Sequence, residues 1–204
     1  MAKITAINIQ QKNGSRCNLF VDGEFYSGVS LETVMKFHLK VNMEIDAQQL
    51  KELLSENERI EALNKAISYL SKTLKTKRQV KEYLLKKGYS EETVWYCIDK
   101  LKEYSYIDDK EYSKRFIEST AKNQGQKLAA YKLMMKGVKK QDIEEAYSDL
   151  DIDENENARI IAEKYLRNKE INKETLAKAY RYLIGRGFSY DQASFALSNY
   201  KEDN

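Results

Sequence analysis

Seven basic side chains fall within sixteen residues: Lys72, Lys75, Lys77, Arg78, Lys81, Lys86 and Lys87, with Glu82 the one acidic residue among them. Cations at this density attract acidic surfaces or phosphates; they do not make or break bonds. A solubilising helix face would carry compensating glutamates at helical spacing, and this stretch lacks them. Phosphate contacts of this kind position a protein without reading base sequence, and each one steepens the salt dependence of binding. Wound as a helix over 77–87, Val80, Tyr83 and Leu84 define a buried side. Arg78, Lys81 and Lys86 then face solvent, and Lys77 and Lys87 flank the buried stripe. Leu85 also points outward on this wheel, toward a neighbouring helix or a partner. The seven cations are therefore candidate partner-binding residues.

Residue types suited to catalysis are scarce. A single histidine, His38, excludes His-based triads and multi-histidine metal sites; on an apolar helical stripe it is expected to be packed or half-exposed. Asp108-Asp109 is the one adjacent acidic pair in a suggestive setting, and a helix N-cap accounts for it. Gly23 and Gly28 have the spacing of a phosphate loop but lack the Lys-Ser/Thr that must follow. Cys17 and Cys97 are isolated, which argues against a disulfide framework and against a thiolate metal site. The fifteen tyrosines include Tyr69, Tyr83, Tyr112, Tyr165 and Tyr182 on core stripes. No catalytic residue, metal site or cofactor is expected, and the chain reads as a non-enzyme. It has no run of about 18 apolar residues and no signal-like N-terminus, so a cytoplasmic, non-membrane protein is expected. Nothing signals a specific dimer, and a monomer is expected.

The elements that must carry the basic segment announce themselves by repetition. Tyr83-Leu84-Leu85-Lys86-Lys87-Gly88-Tyr89 is echoed by Leu133-Met134-Met135-Lys136-Gly137-Val138 and by Tyr182-Leu183-Ile184-Gly185-Arg186-Gly187-Phe188. The three glycines Gly88, Gly137 and Gly187 are 49 and 50 residues apart. A fixed period of this size marks an array in which each unit is one supersecondary element completing its neighbour's core. From about residue 58 the pattern is helical throughout, with apolar residues at i, i+3, i+4 and i+7, and each copy reads as three helices. Each repeat glycine belongs at the left-handed end of its second helix, with the following apolar residue closing the turn. Lys87, Lys136 and Arg186, one residue earlier, also suit the negative end of the helix dipole. Ser90 and Asn172 stand where N-caps are wanted. Asp108 with Glu111 forms a capping-box pattern.

Ahead of the repeats, residues 1–28 read as a three-strand β-meander with turns at Asn13-Gly14 and Asp22-Gly23. Ser30 to His38 reads as a helix, and Glu44-Ile45-Asp46 leads into a second short helix ending near Leu54. The polar stretch Ser55–Arg59 is the expected boundary, or else the start of the first long helix. The reading is thus mainly α: three tandem three-helix repeats forming an elongated array behind a small β-meander with short helices. The expected divisions are 1–57, 58–106, 107–152 and 153–204.

At this point the chain resembles the RecX regulatory proteins over nearly its whole length. Phe20-Val21-Asp22-Gly23-Glu24-Phe25 with Gly28-Val29-Ser30 is similar to the N-terminal segment of the longer members. Tyr69-Leu70, Lys75-Thr76 and Val80-x-x-Tyr83-Leu84-x-x-Lys87-Gly88 resemble the first helical motif. There Lys75-Thr76 replaces the usual Arg-Ser, and Gln79 the usual Glu. Tyr106-Ile107-Asp108-Asp109-x-x-Tyr112 is similar to the family's Leu-Asp-Asp-x-x-Tyr-Ala signature. Lys136-Gly137-Val138 and Arg186-Gly187-Phe188-Ser189-Tyr190-Asp191 match the motifs of the later repeats. Gly88, Asp108, Asp109, Tyr112, Gly137, Gly187 and Phe188 are accordingly expected to be structural. The resemblance implies a curved modulator of the RecA recombinase, seated in the groove of the RecA–single-stranded DNA filament. It implies suppression of ATP hydrolysis, strand exchange and coprotease activity. The seven cations would make the electrostatic contacts, with weak nonspecific affinity for DNA.

Two other classes compete. Helices two and three of each repeat resemble a helix-turn-helix, but the third helix of the first repeat carries Glu91, Glu92, Trp95 and Asp99, a poor surface for a major groove. A plain helical protein–protein adaptor would show no dependence on nucleic acid at all.

Overall fold

The N-terminal sheet is built by alternation and short reversals. The structure, a computed structural model, describes residues 1–200. Strands β1 (Ala2–Gln10), β2 (Asn13–Val21) and β3 (Glu24–Ser30) form an antiparallel meander. A two-residue strand, β4 (Glu44–Ile45), pairs with Ala2 and Lys3 and extends the order to β3-β2-β1-β4. Glu44-Ile45, expected to lead straight into a helix, is thus a fourth strand first. The Asp22-Gly23 turn forms as expected, with φ of 48° and 90°. The first reversal does not sit at Asn13-Gly14. Gln10 pairs with Asn13 across Gln11-Lys12, and Ile9 pairs with Cys17. Gly14 and its neighbours are therefore absorbed in a bulge of β2. The Asn13 side chain accepts from the Ser15 amide (3.1 Å) and hydroxyl (2.7 Å) rather than making the turn.

Helix α1 (Leu31–Lys36) starts at its Ser30 cap, whose hydroxyl accepts from Thr33 N. It stops before His38, which is exposed at φ 49° and lies beyond the helical stripe expected to hold it. Helix α2 runs unbroken from Ala47 to Leu70, opened by a capping box between Asp46 and Gln49. Neither a short helix ending at Leu54 nor a boundary at Ser55–Arg59 exists, and the expected division after residue 57 falls inside α2. The polar stretch is inward-facing and partnered. Asn57 is buried and accepts from Ser30 N (2.7 Å) and Thr33 Oγ1 (2.9 Å). Glu58 accepts from Ser90 N (2.9 Å) and Thr93 Oγ1 (2.9 Å).

The remaining helices are α3 (Lys77–Lys86), α4 (Glu91–Glu103), α5 (Asp109–Thr120), α6 (Gln126–Met135), α7 (Lys140–Ser148), α8 (Glu154–Leu166), α9 (Lys173–Gly185) and α10 (Tyr190–Ala196), followed by a 3₁₀ turn at Ser198–Tyr200. Their contacts divide the chain into two units, one of residues 1–74 and 80–107, the other of residues 75–79 and the chain from Asp108 onward. The first unit holds two cores. One lies under the sheet, around Ile4, Leu19, Ile45 and Leu53. The other is a three-helix core of α2, α3 and α4 around Ala66, Val80, Leu84, Val94 and Ile98. In the second unit, Ile117, Leu133, Val138 and Ile143 centre the α5–α7 core, and Ala162, Ala179, Leu183, Phe188 and Ala193 centre the α8–α10 core. Tyr112 packs half-buried against the former, as its place on a core stripe requires.

The three repeat glycines close their helices identically. Gly88, Gly137 and Gly187 have φ of 88°, 85° and 94°, a region that costs a side chain free energy and costs glycine none. Each glycine N–H donates to the carbonyl three residues back at 2.9 Å, and the next N–H reaches the carbonyl five back. The apolar residue after the glycine (Tyr89, Val138 or Phe188) thereby turns into its own core.

Candidate partner-binding site

The basic segment begins at the end of α2 and continues through α3. Lys72 stands exposed in the turn after α2. Lys75 and Lys77 are half-buried, and Arg78, Lys86 and Lys87 are exposed. Val80 and Leu84 are fully buried and Tyr83 is partly so, as the wheel requires. Leu85, which the wheel turns outward, packs against the same three-helix core.

Lys81, Lys87 and Arg78 are tied to the fold. Lys81 does not stand on an open solvent face: its ammonium lies 4.3 Å from the ring centroid of Trp95 on α4. Lys87 Nζ lies 5.7 Å from the ring centre of Tyr83, which stacks on Tyr69 at 4.1 Å and 9°. Such cation–ring contacts are worth about 0.5–1 kcal/mol at exposed sites, enough to orient an ammonium and leave its charge available. Arg78 lays its aliphatic stem on Gly137, where a Cβ would overlap its Cβ, Cγ and Cδ. These ring partners escaped the sequence reading, which assigned Tyr69 and Tyr83 to the core alone. The aromatic at 83 with a cation four residues later was the available signal.

The first turn of α3 is held by side chains of the second unit, to which residues 75–79 belong. Thr76 is fully buried; its hydroxyl donates to the Lys136 carbonyl (2.7 Å) and accepts from Gln79 N (3.2 Å). The Gln79 side chain accepts in return from Thr76 N at 3.0 Å, so the capping function forms with Gln in place of Glu. The acidic pair divides its labour. Asp108 caps its own helix, accepting from Lys110 N and Glu111 N at 2.9 Å each. Asp109 accepts from Lys77 N at 2.8 Å, at the start of α3. The expected reciprocal half of the box is absent: Glu111 Oε1 accepts from Arg115 Nε instead (2.8 Å).

Burial pushes the Cys97 thiol up to about 11, so it stays protonated at neutral pH, and burial raises Cys17 as well. Among the described residues no three His, Cys, Asp or Glu side chains are placed to hold a metal ion. No described helix is long and apolar enough to cross a membrane.

Known proteins share this organisation. The model for the regulatory protein RecX N-terminal domain matches residues 2–46. Those for the first and third RecX three-helix domains match 62–101 and 152–197. A regulatory protein RecX from Clostridium botulinum (strain Alaska E43 / Type E3) is 38% identical over 196 residues, covering 94% of this chain and 92% of its own length. The one from Clostridium tetani is 33% identical, over 96% and 93%. A crystal structure of regulatory protein RecX superposes with a TM-score of 0.76 at 23% identity, covering 99% of this chain and 100% of its own. RecX from Lactobacillus salivarius gives 0.65 at 24% identity, over 72% and 99%. Sheet, glycine-closed helices and whole-length identity thus converge, and the chain belongs to the RecX family of regulatory proteins.

Proposed function

We propose that this chain binds the filament that RecA forms on single-stranded DNA and restrains it, lowering ATP hydrolysis, strand exchange and coprotease activity. What carries the reading is the whole-length relationship to RecX regulatory proteins. The basic segment supports it. Lys72, Lys75, Lys77, Arg78, Lys81, Lys86 and Lys87 supply the positive potential that a phosphate-lined or acidic groove attracts. The mechanism is occlusion: the repeats lie along the groove, several protomers are bridged, and extension stops. The protein acts as a cytoplasmic monomer, without cofactor and without catalysis of its own. Naked DNA is bound weakly and without base preference, since the α4 surface (Glu91, Glu92, Asp99) is unsuited to a major groove.

The test compares labelled protein on three targets at matched salt: free single-stranded DNA, free RecA, and filament assembled with a slowly hydrolysed nucleotide. Tight binding to filament alone, with ATP hydrolysis falling in parallel, is expected. Arg78→Glu with Lys81→Glu should weaken that binding by more than about tenfold, the scale of losing close charge pairs. Equal affinity for naked DNA and filament would make this a DNA-binding protein that merely competes. Unchanged affinity of the double variant at low and moderate salt would reject the segment as the contact surface.

A further inference from the structure

The third repeat, together with the turn after α5, carries a second concentration of positive charge that no single stretch of sequence displays in full. Lys122, Lys164, Arg167, Lys169 and Arg186 line one open cavity of about 430 Å³, and no acidic side chain among the described residues lines it. They come from the turn after α5, from α8 and the turn after it, and from the C-cap of α9. Residues 151–204 as a whole carry nine basic and ten acidic residues, so the charges of this repeat are sorted rather than merely abundant. Elsewhere in the same unit Lys110, Lys114, Arg115, Arg159 and Lys178 all pair with carboxylates. None of the five cavity cations has a carboxylate at ion-pairing distance among the described residues. Five like charges around one concavity repel one another, and an anion that enters relieves this.

Two of the five are held in place by rings. Lys169 Nζ lies 3.2 Å from the ring centroid of Tyr165, and the Arg186 guanidinium 4.9 Å from that of Tyr182. The two tyrosines stack at 4.5 Å and 27°. Arg186 is fixed further by donating to the Asn123 carbonyl at 3.3 Å. It is the device of the first repeat, where Lys87 crowns the Tyr69–Tyr83 stack. With cations over both rings, the tyrosines serve to orient charge, and bases are left without an open face to stack on.

We infer that this cavity binds the phosphodiester backbone of single-stranded nucleic acid, without reading its bases. More cations are present than one phosphate needs, so the ligand carries several phosphates in series. A flexible single strand can bend into a concavity that a rigid duplex cannot enter. The inference concerns naked strand and the third repeat, and stands independently of the filament reading and of the cations on α3.

The test is anisotropy of a labelled oligothymidylate at several salt concentrations, with no recombinase present. Lys164 and Arg167 are exposed, so Lys164→Gln with Arg167→Gln should leave the thermal melt unchanged. The double variant should bind at least about tenfold more weakly. Its slope of log affinity against log salt should be shallower by about 0.7 for each phosphate left unneutralised. Lys139→Gln with Lys140→Gln removes the same charge outside the cavity and should change affinity by less than about twofold. Equal losses in the two double variants, or none in the first, would overturn the site. Binding of ADP or pyrophosphate that the first double variant abolishes, with no oligonucleotide binding, would overturn the single-strand assignment in favour of a free nucleotide or polyphosphate.

Discussion

The stem of Arg78 lies where a side chain on Gly137 would have to be. The same junction recurs one repeat later, where a Cβ on Gly187 would overlap Leu128, including its backbone nitrogen. The polar contacts recur too. Thr76 Oγ1 donates to the Lys136 carbonyl, and Gly125 N donates to the Arg186 carbonyl at 2.9 Å. The start of one repeat's middle helix thus seats on the glycine turn of the next. The glycine is needed twice over, for its positive φ and for the room it leaves.

Gly88 separates those two needs, because a Cβ there would meet nothing within 4 Å. Gly88→Ala should cost only the left-handed conformation, about 1–2 kcal/mol. Gly137→Ala should add an overpacking cost of about 1–3 kcal/mol. Gly187→Ala should cost most, since the backbone of Leu128 cannot swing aside as part of the Arg78 side chain can. Urea denaturation of the three variants measures the order. Equal losses at all three positions would mean that the junctions accommodate a methyl and that φ alone matters.

Those glycines were legible because their chemistry is local: a left-handed residue, a preceding cation and a following apolar side chain occupy three consecutive positions. Ser90, Asn172 and Asp108 were legible as caps for the same reason. Ser55–Arg59 misled because its partners are remote. Asn57 answers Ser30 and Thr33, and Glu58 answers Ser90 and Thr93, so a polar run that reads as a linker is the polar seam of a packed helix. Asn13-Gly14 misled because register, which depends on the partner strand, decides where a hairpin turns. The α3 cations show in one glance at the sequence, whereas the cluster around Lys122, Lys164 and Arg186 is assembled from three segments and exists only in the fold.

Asp109 is a structural acceptor, and a pair of substitutions separates that role from a functional one. Its carboxylate receives the Lys77 N–H at the start of α3, where lost helix caps cost about 0.5–2 kcal/mol. Asp109→Ala should lower the melting temperature accordingly, and Asp109→Asn, which keeps a carbonyl acceptor, should fall between it and the parent. A carboxylate kept for partner contact would behave otherwise: Asp109→Ala would melt like the parent while both variants lost binding alike.

Asp149 gives the protein a predictable response to acid. It accepts from Lys114 Nζ at 2.8 Å and Lys110 Nζ at 3.0 Å, and these bonds hold its carboxyl below the ordinary aspartate range. A carboxylate depressed in the folded state stabilises the fold above its unfolded pKa, and that contribution disappears as pH falls through the folded value. Asp149→Asn removes the ionisation, so it should melt below the parent at pH 7. The gap should narrow once the pH drops under about 4, where the unfolded aspartate takes up its proton. Because the group is exposed, added salt should shrink the neutral-pH gap as well. Thermal melts of both proteins from pH 7 to pH 2.5 measure this, and a gap that stays constant across that range would mean that packing, not charge, is what Asp149 contributes.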